Sequence, residues 1–222
     1  MKLEEIEKKE YIDKGDFSKC YDIGNHNVLK LFNNSMSIAD IHKFKYLLKY
    51  RNESFLFPFE FVYDEENFYG YITKRSLGKK IISNFSSLDI EKLSTHSILL
   101  EHNIKKISEA KISIDDMNGS NILYDGKKIE VIDPDFYWID KETNTSEIQK
   151  RNLNSYKNTI LVEFRANIGY YKKTNYVLQK ILKYEYMPMT ASTAMIKIKE
   201  DMEKYYKEEI NTIDDLHNIA RR

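Results

Sequence analysis

Apolar and polar positions alternate with a short period through the first 75 residues and follow a helical period through most of the rest. In residues 10–32, EYIDKGDFSKCYDIGNHNVLKLF, short runs are broken at Lys14-Gly15-Asp16 and at Gly24-Asn25-His26-Asn27. That pattern predicts three strands, one starting at Tyr11-Ile12, one over Lys19–Ile23 and one over Val28–Phe32. Ser35 or Ser37 then offers an N-cap for a helix to about Arg51, with Ile38, Ile41, Phe44, Leu47 and Leu48 as its core-facing stripe. After Phe57-Pro58, strands over Phe59–Asp64 and Phe68–Lys74 flank a turn at Glu65-Glu66-Asn67. The expectation is five antiparallel strands with one inserted helix.

Leu77-Gly78-Lys79 reads as a link to a second, mostly helical part. Ser87 or Asp89 opens a long helix to about Ser108, carrying Leu93, Leu100, Ile104 and Ile107. A hairpin follows: Asn121–Tyr124, a turn at Asp125-Gly126, and Ile129–Ile132. With the reversal centred near Lys127, Asn121 and Asp133 would face each other at its open end. Residues 139–151 are polar and expected as loop, and helices are expected over 152–168, 174–185, 192–210 and from Thr212. Met195, Ile198, Met202 and Tyr205 share one face of the third of these, the mark of a packed core. The fold class is α+β, with a division into residues 1–76 and 77–222 of what is one domain overall.

Composition narrows the function classes. Hydrophobic residues make up 41% and charged residues 32%, with a formal net charge of zero. No general electrostatic grip on nucleic acid or an anionic membrane is expected from that balance. No apolar run approaches the ~20 residues of a membrane span, and MKLEEIEKKE lacks a signal-peptide apolar core. A cytoplasmic location is the resulting expectation. The single cysteine, Cys20, excludes an internal disulfide and a multi-cysteine metal site.

Asp116, Asn121 and Asp133 collect an amide and two carboxylates around the hairpin, a set suited to a hard cation. Read alone, Asp116 is better explained as a turn cap, Asn121 as a loop tie and Asp133-Pro134 as the start of a turn. Lys30, between Leu29 and Leu31, is by itself a snorkelling or edge lysine. Their order and predicted elements change this. Asp116-Met117-Asn118-Gly119-Ser120-Asn121 has D-x4-N spacing followed by Ile122-Leu123; Val131-Ile132-Asp133 lies further on; Val28-Leu29-Lys30 sits on the third strand before the helix. This set resembles the protein-kinase-like superfamily, over about residues 9–170, and is similar also to the aminoglycoside and choline phosphotransferases. The resemblance implies a bilobal fold, an antiparallel-sheet N-lobe with one helix and a helical C-lobe with a catalytic hairpin. It implies ATP and Mg²⁺ as cofactors, with Asp116 as the catalytic-loop aspartate and Lys30 on the α- and β-phosphates. Asn121 and Asp133 would be the magnesium ligands, and Gly15 the remnant of a glycine-rich loop over the nucleotide.

The chain departs from that pattern in several places. Asp13 and Ser18 stand where glycines are expected, and Asp40 is the only acid in the first helix able to pair with Lys30. Ile114-Asp115 replaces His-Arg, Asn118 stands where protein kinases carry a lysine, and Asp133-Pro134-Asp135 replaces Asp-Phe-Gly. No Ala-Pro-Glu follows. The expected activity is transfer of the ATP γ-phosphate to a hydroxyl, of a protein Ser/Thr or of a small molecule; a nucleotide-binding pseudokinase scaffold is the non-enzymatic reading.

Overall fold

The alternation of the first 75 residues becomes a five-stranded antiparallel sheet. The computed structural model describes residues 10–14, 17–34, 37–64, 67–115, 117–169 and 174–221. Its first five strands are β1 (Glu10–Lys14), β2 (Ser18–Asp22), β3 (Asn27–Phe32), β4 (Glu60–Asp64) and β5 (Asn67–Lys74), in sheet order β1-β2-β3-β5-β4. The centre is β3, with Lys30 opposite Cys20 on one side and Tyr71 on the other. Because strand side chains alternate, Leu29 shares a face with Val62 and Ile72, all buried. Lys30 and Phe32 fall on the opposite face. There α1 (Ile38–Leu47) sets Phe44 against Phe32, Phe68 and Tyr71, with ring centroids 5.0–6.1 Å apart.

Ser37 caps α1, its Oγ accepting from the Asp40 N–H at 3.2 Å. The helix ends sooner than expected. Arg51 donates to the carbonyls of Leu48 and Tyr50, at 2.8 and 2.9 Å, and takes up acceptors that a continuing helix would use. Phe44 and Leu47 are buried as the stripe predicts, but Ile38, in the first turn, is 75% exposed.

Two compact units are resolved: Met1–Leu77 with Ile132–Pro134, and Gly78–Val131 with Asp135–Arg222. The three residues 132–134 therefore join the first unit, although the sequence reading kept them with the hairpin. The second unit carries α2 (Ile90–Glu109), α3 (Thr145–Ile168), α4 (Asn175–Glu185), α5 (Ala191–Tyr206) and α6 (Ile213–Arg221). Its core includes Leu93, Leu100, Ile104 and Ile107 of α2, Tyr156, Ile160 and Phe164 of α3, and Met195, Ile198 and Met202 of α5. Tyr205, expected with that last stripe, is 50% exposed and instead stacks on Tyr176 at 4.5 Å.

Two small β pieces complete this unit. The strands β6 (Lys79–Lys80), β8 (Ile122–Tyr124) and β9 (Ile129–Val131) form one, in the order β6-β8-β9; β7 (Ile112–Ile114) and β10 (Tyr137–Ile139) pair as the other. The Asp125-Gly126 turn forms as expected, with Gly126 at φ +87° and Asp125 Oδ1 accepting from Lys127 and Lys128 N–H at 2.8 Å. The register differs by one residue. Ile122 pairs with Val131 and Tyr124 with Ile129, so the reversal centres between Gly126 and Lys127, and Asn121 is not in register with Asp133.

The expected loop over 139–151 is a second correction. Asn144 caps α3, its Oδ1 accepting from Glu147 N–H at 2.9 Å, and the helix is under way by Thr145. An Asn followed three residues later by Glu is a capping box in the making, obscured by the polarity around it. At the other end of the bundle, α5 stops at Tyr206 because Lys207 takes a left-handed conformation, φ +58°. Among the described residues no helix is long and apolar enough to cross a membrane.

Candidate functional site

Lys30 is neither on an edge nor in solvent. It is 7% exposed, and its Nζ donates to Asp133 Oδ1 at 2.5 Å, across 103 residues of sequence. Both residues belong to the first unit. A buried ammonium requires a partner, and Asp133 provides one while its own side chain stays 32% exposed. Among the described residues no group occupies the second carboxylate oxygen, Oδ2. Asp133 also has φ +63° and precedes Pro134, where residues ordinarily stay extended. Holding a non-glycine residue there costs roughly 1 kcal/mol or more, and such strain concentrates at functional positions. Pro134 then opens a short 3₁₀ turn to Phe136, so a turn does start here, with a restrained carboxylate at its head.

The backbone beneath Lys30 depends on Gly70. A Cβ on Gly70 would lie 2.0 Å from the Lys30 carbonyl oxygen, so only glycine lets β5 approach β3 at this point. Asp40, the acid considered as a partner for Lys30, is engaged by Lys43 Nζ at 3.2 Å and by the Ser37 hydroxyl at 2.6 Å. Partial burial opposes its ionisation, but these hydrogen bonds prevail and hold its carboxyl below the usual range.

In the second unit, α3 grips the chain on both sides of position 116. Asn152 is wholly buried; its Oδ1 accepts from Ile114 N–H at 2.9 Å and its Nδ2 donates to the Ile112 carbonyl at 2.9 Å and to Ser108 Oγ at 3.0 Å. The carboxamide thus reproduces one peptide group of a neighbouring strand and closes the outer edge of β7. Seven residues on, the Thr159 hydroxyl donates to the Met117 carbonyl. Four further, Glu163 lies under Gly119, where an added Cβ would come within 2.6 Å of its Oε1. Residues 152, 159 and 163 share one helical face by spacing. Burial alone raises the Glu163 carboxyl above its ordinary range, and no partner for it is present among the described residues.

The loop itself is wound by Asn118. Its Oδ1 accepts from Ser120 N–H at 2.8 Å and Asn121 N–H at 3.2 Å, and its carbonyl accepts from Asn121 N–H at 3.0 Å. Asn121 enters β8 from this turn with only 8% exposure. Of the sequence-predicted residues, Lys30 and Asp133 meet, Asn121 sits at the end of the Asn118 turn, and Gly15 and Asp116 lie outside the described residues. Among the described residues there is no cluster of three or more His, Cys, Asp and Glu side chains able to enclose a metal. Asn152, Thr159 and Glu163 were missed from sequence, although their 7- and 4-residue spacing on one helix was available as a signal.

No protein-family model matches this chain, and a search of curated proteins finds no match.

Proposed function

We propose that the chain is a Mg-ATP-dependent phosphotransferase of the protein-kinase-like fold, acting on an alcohol acceptor. The observation that carries this reading is the Lys30–Asp133 pair: a buried ammonium on the central strand, 2.5 Å from a conformationally restrained carboxylate. The α+β architecture, a five-stranded antiparallel sheet with α1 against one face and a separate helical unit, is compatible with it.

The residues present fit the cofactor. Magnesium is commonly held by one or two carboxylates, with substrate phosphates and water completing the shell, rather than by an all-protein cage. Asp133 offers a partly exposed carboxylate for that mode. Bound Mg-ATP would supply the phosphoryl group and neutralise charge on it. Lys30 would share its charge with phosphate oxygens, Asp133 and Asn121 would hold the metal, and Asp116 would accept the acceptor's hydroxyl proton. Gly15 would lie along the nucleotide. Asn152 and Thr159 of α3 hold Ile112, Ile114 and Met117, on either side of position 116, and are assigned no contact with substrate.

The test is ATP turnover by the purified chain with Mg²⁺, comparing wild type with Asp116→Ala and Asp133→Ala. Turnover in the wild type and its loss in both variants is the expected result; equal rates in all three overturn the proposal.

A further inference from the structure

We propose that the two-stranded β7–β10 ribbon carries a subsite for an organic cation borne by the acceptor substrate. This rests on the phosphotransferase reading and deepens it. One face of the ribbon is core, with Ile112, Ile114 and Tyr137 buried. On the other, Trp138 stands opposite Ser113, and Asp115 and Asp140 follow two residues further along their strands. Between them lies a concavity of about 300 Å³, lined by Ser113, Asp115, Trp138, Ile139, Asp140 and Arg151, all in the second unit.

The charges in this lining do not cancel. Arg151 Nη2 binds Asp140 Oδ2 at 2.5 Å, and the Thr143 N–H donates to Asp140 Oδ1 at 3.0 Å. Asp140 and Arg151 are thereby occupied with each other. Asp115 is exposed and has no partner among the described residues, so one negative charge remains. Beside it the indole of Trp138 is left 59% exposed. An anion would be repelled here, and a neutral ligand would desolvate Asp115 without replacing its hydration. A cation answers both groups at once: it pairs with the carboxylate and lies over the ring, and guanidinium does both through its plane. The volume is at the lower end of small-ligand clefts, about 300–1,000 Å³, which suits one amine or guanidinium head. In sequence Asp115 directly precedes Asp116, the residue to which the proposed function assigns the acceptor's proton. The cation's source is a free small amine or a basic side chain of a peptide, and binding experiments separate the two.

The experiment titrates the full chain, without nucleotide, and follows the fluorescence of Trp138, the only tryptophan in the sequence. The probes are L-argininamide and a serine peptide with one arginine, each compared with its citrulline counterpart. Saturable binding is expected for the arginine forms, weakened about tenfold or more by citrulline or by Asp115→Asn, the loss of one charge-assisted contact. Calorimetry on Trp138→Ala is expected to show weaker binding too. Tighter binding of the peptide than of argininamide identifies a protein acceptor; similar binding identifies a small amine. Equal binding of arginine and citrulline forms, or no change in Asp115→Asn, overturns the subsite. Because no nucleotide is used, a chain without ATP turnover leaves this result standing and overturns only the enzymatic reading.

Discussion

Replacing Asn152 with alanine tests how the loop before Asp116 is held. The substitution removes three hydrogen bonds from a residue with no solvent exposure. Ser108 keeps its bond to the Ile104 carbonyl at 2.7 Å, so it loses little. The Ile114 N–H and Ile112 carbonyl face away from β10, and among the described residues no other strand pairs with β7. An unsatisfied buried backbone group costs about 1–3 kcal/mol, so two of them, with the small void left by the side chain, give about 3–4 kcal/mol. Intrinsic helix propensity acts the other way, favouring alanine by roughly 0.5 kcal/mol. A net loss must therefore come from the β7 edge. At about 2–4 °C per kcal/mol for a chain of this size, the net loss should lower the melting temperature by roughly 5–14 °C. Trp138 on β10, paired directly with β7, reports the transition in urea. Amide exchange supplies the local readout: Ile114 should lose protection while Ser113, paired with Trp138, is affected less. Unchanged stability with Ile114 still protected would refute the strand-mimic account.

Three further outcomes follow from other parts of the molecule. Gly70→Ala places a Cβ 2.0 Å from the Lys30 carbonyl oxygen, forcing β5 off β3 at a cost of about 3 kcal/mol; a urea midpoint equal to wild type would show that the sheet absorbs the added carbon. Glu163→Gln should stabilise the chain at neutral pH, because burial raises the Glu163 carboxyl above 4.5 and the folded state disfavours its ionised form. That residue's favourable contribution is complete below its unfolded range and is lost as pH rises through the folded value, so the variant's advantage should shrink when denaturation is repeated near pH 4. A double-mutant cycle with Lys30→Met and Asp133→Asn should give a coupling of about 1–2 kcal/mol, discounted from a fully buried pair because Asp133 is partly exposed; additive effects would mean that the pair contributes nothing to folding.

What could be read from the sequence was set by the length and period of each signal. The strands of the first sheet alternate over five to eight residues and are punctuated by glycine and asparagine turns, and their positions were legible to within a residue or two. Strands β7 and β10 have three residues each, too few for a period to appear, and no turn such as the Asp125-Gly126 that marks β8 and β9 joins them, so both were missed. Boundaries decided by side-chain capping were also hidden. Arg51 ends α1 by reaching back to carbonyls, and Asn144 starts α3 inside a stretch that looks like polar loop.

The candidate site divides along the same line. Lys30 and Asp133 were singled out by motif, and they meet across 103 residues. The parts that fix the loop in place leave no motif, because a buried amide and a solvated one look alike in sequence. Asn152 reads as an ordinary polar residue on a helix until the strand beside it is known. Only then do Asn152, Thr159 and Glu163 become one face, set against Ile112–Ile114, Met117 and Gly119 in turn. Rigid helices are better supports for a reactive loop than the loop's own backbone, and α3 has the length to serve as one, with 24 residues against ten in α1. The supports on α3 hold the chain on either side of position 116, at Ile112 and Ile114 before it and at Met117 after it.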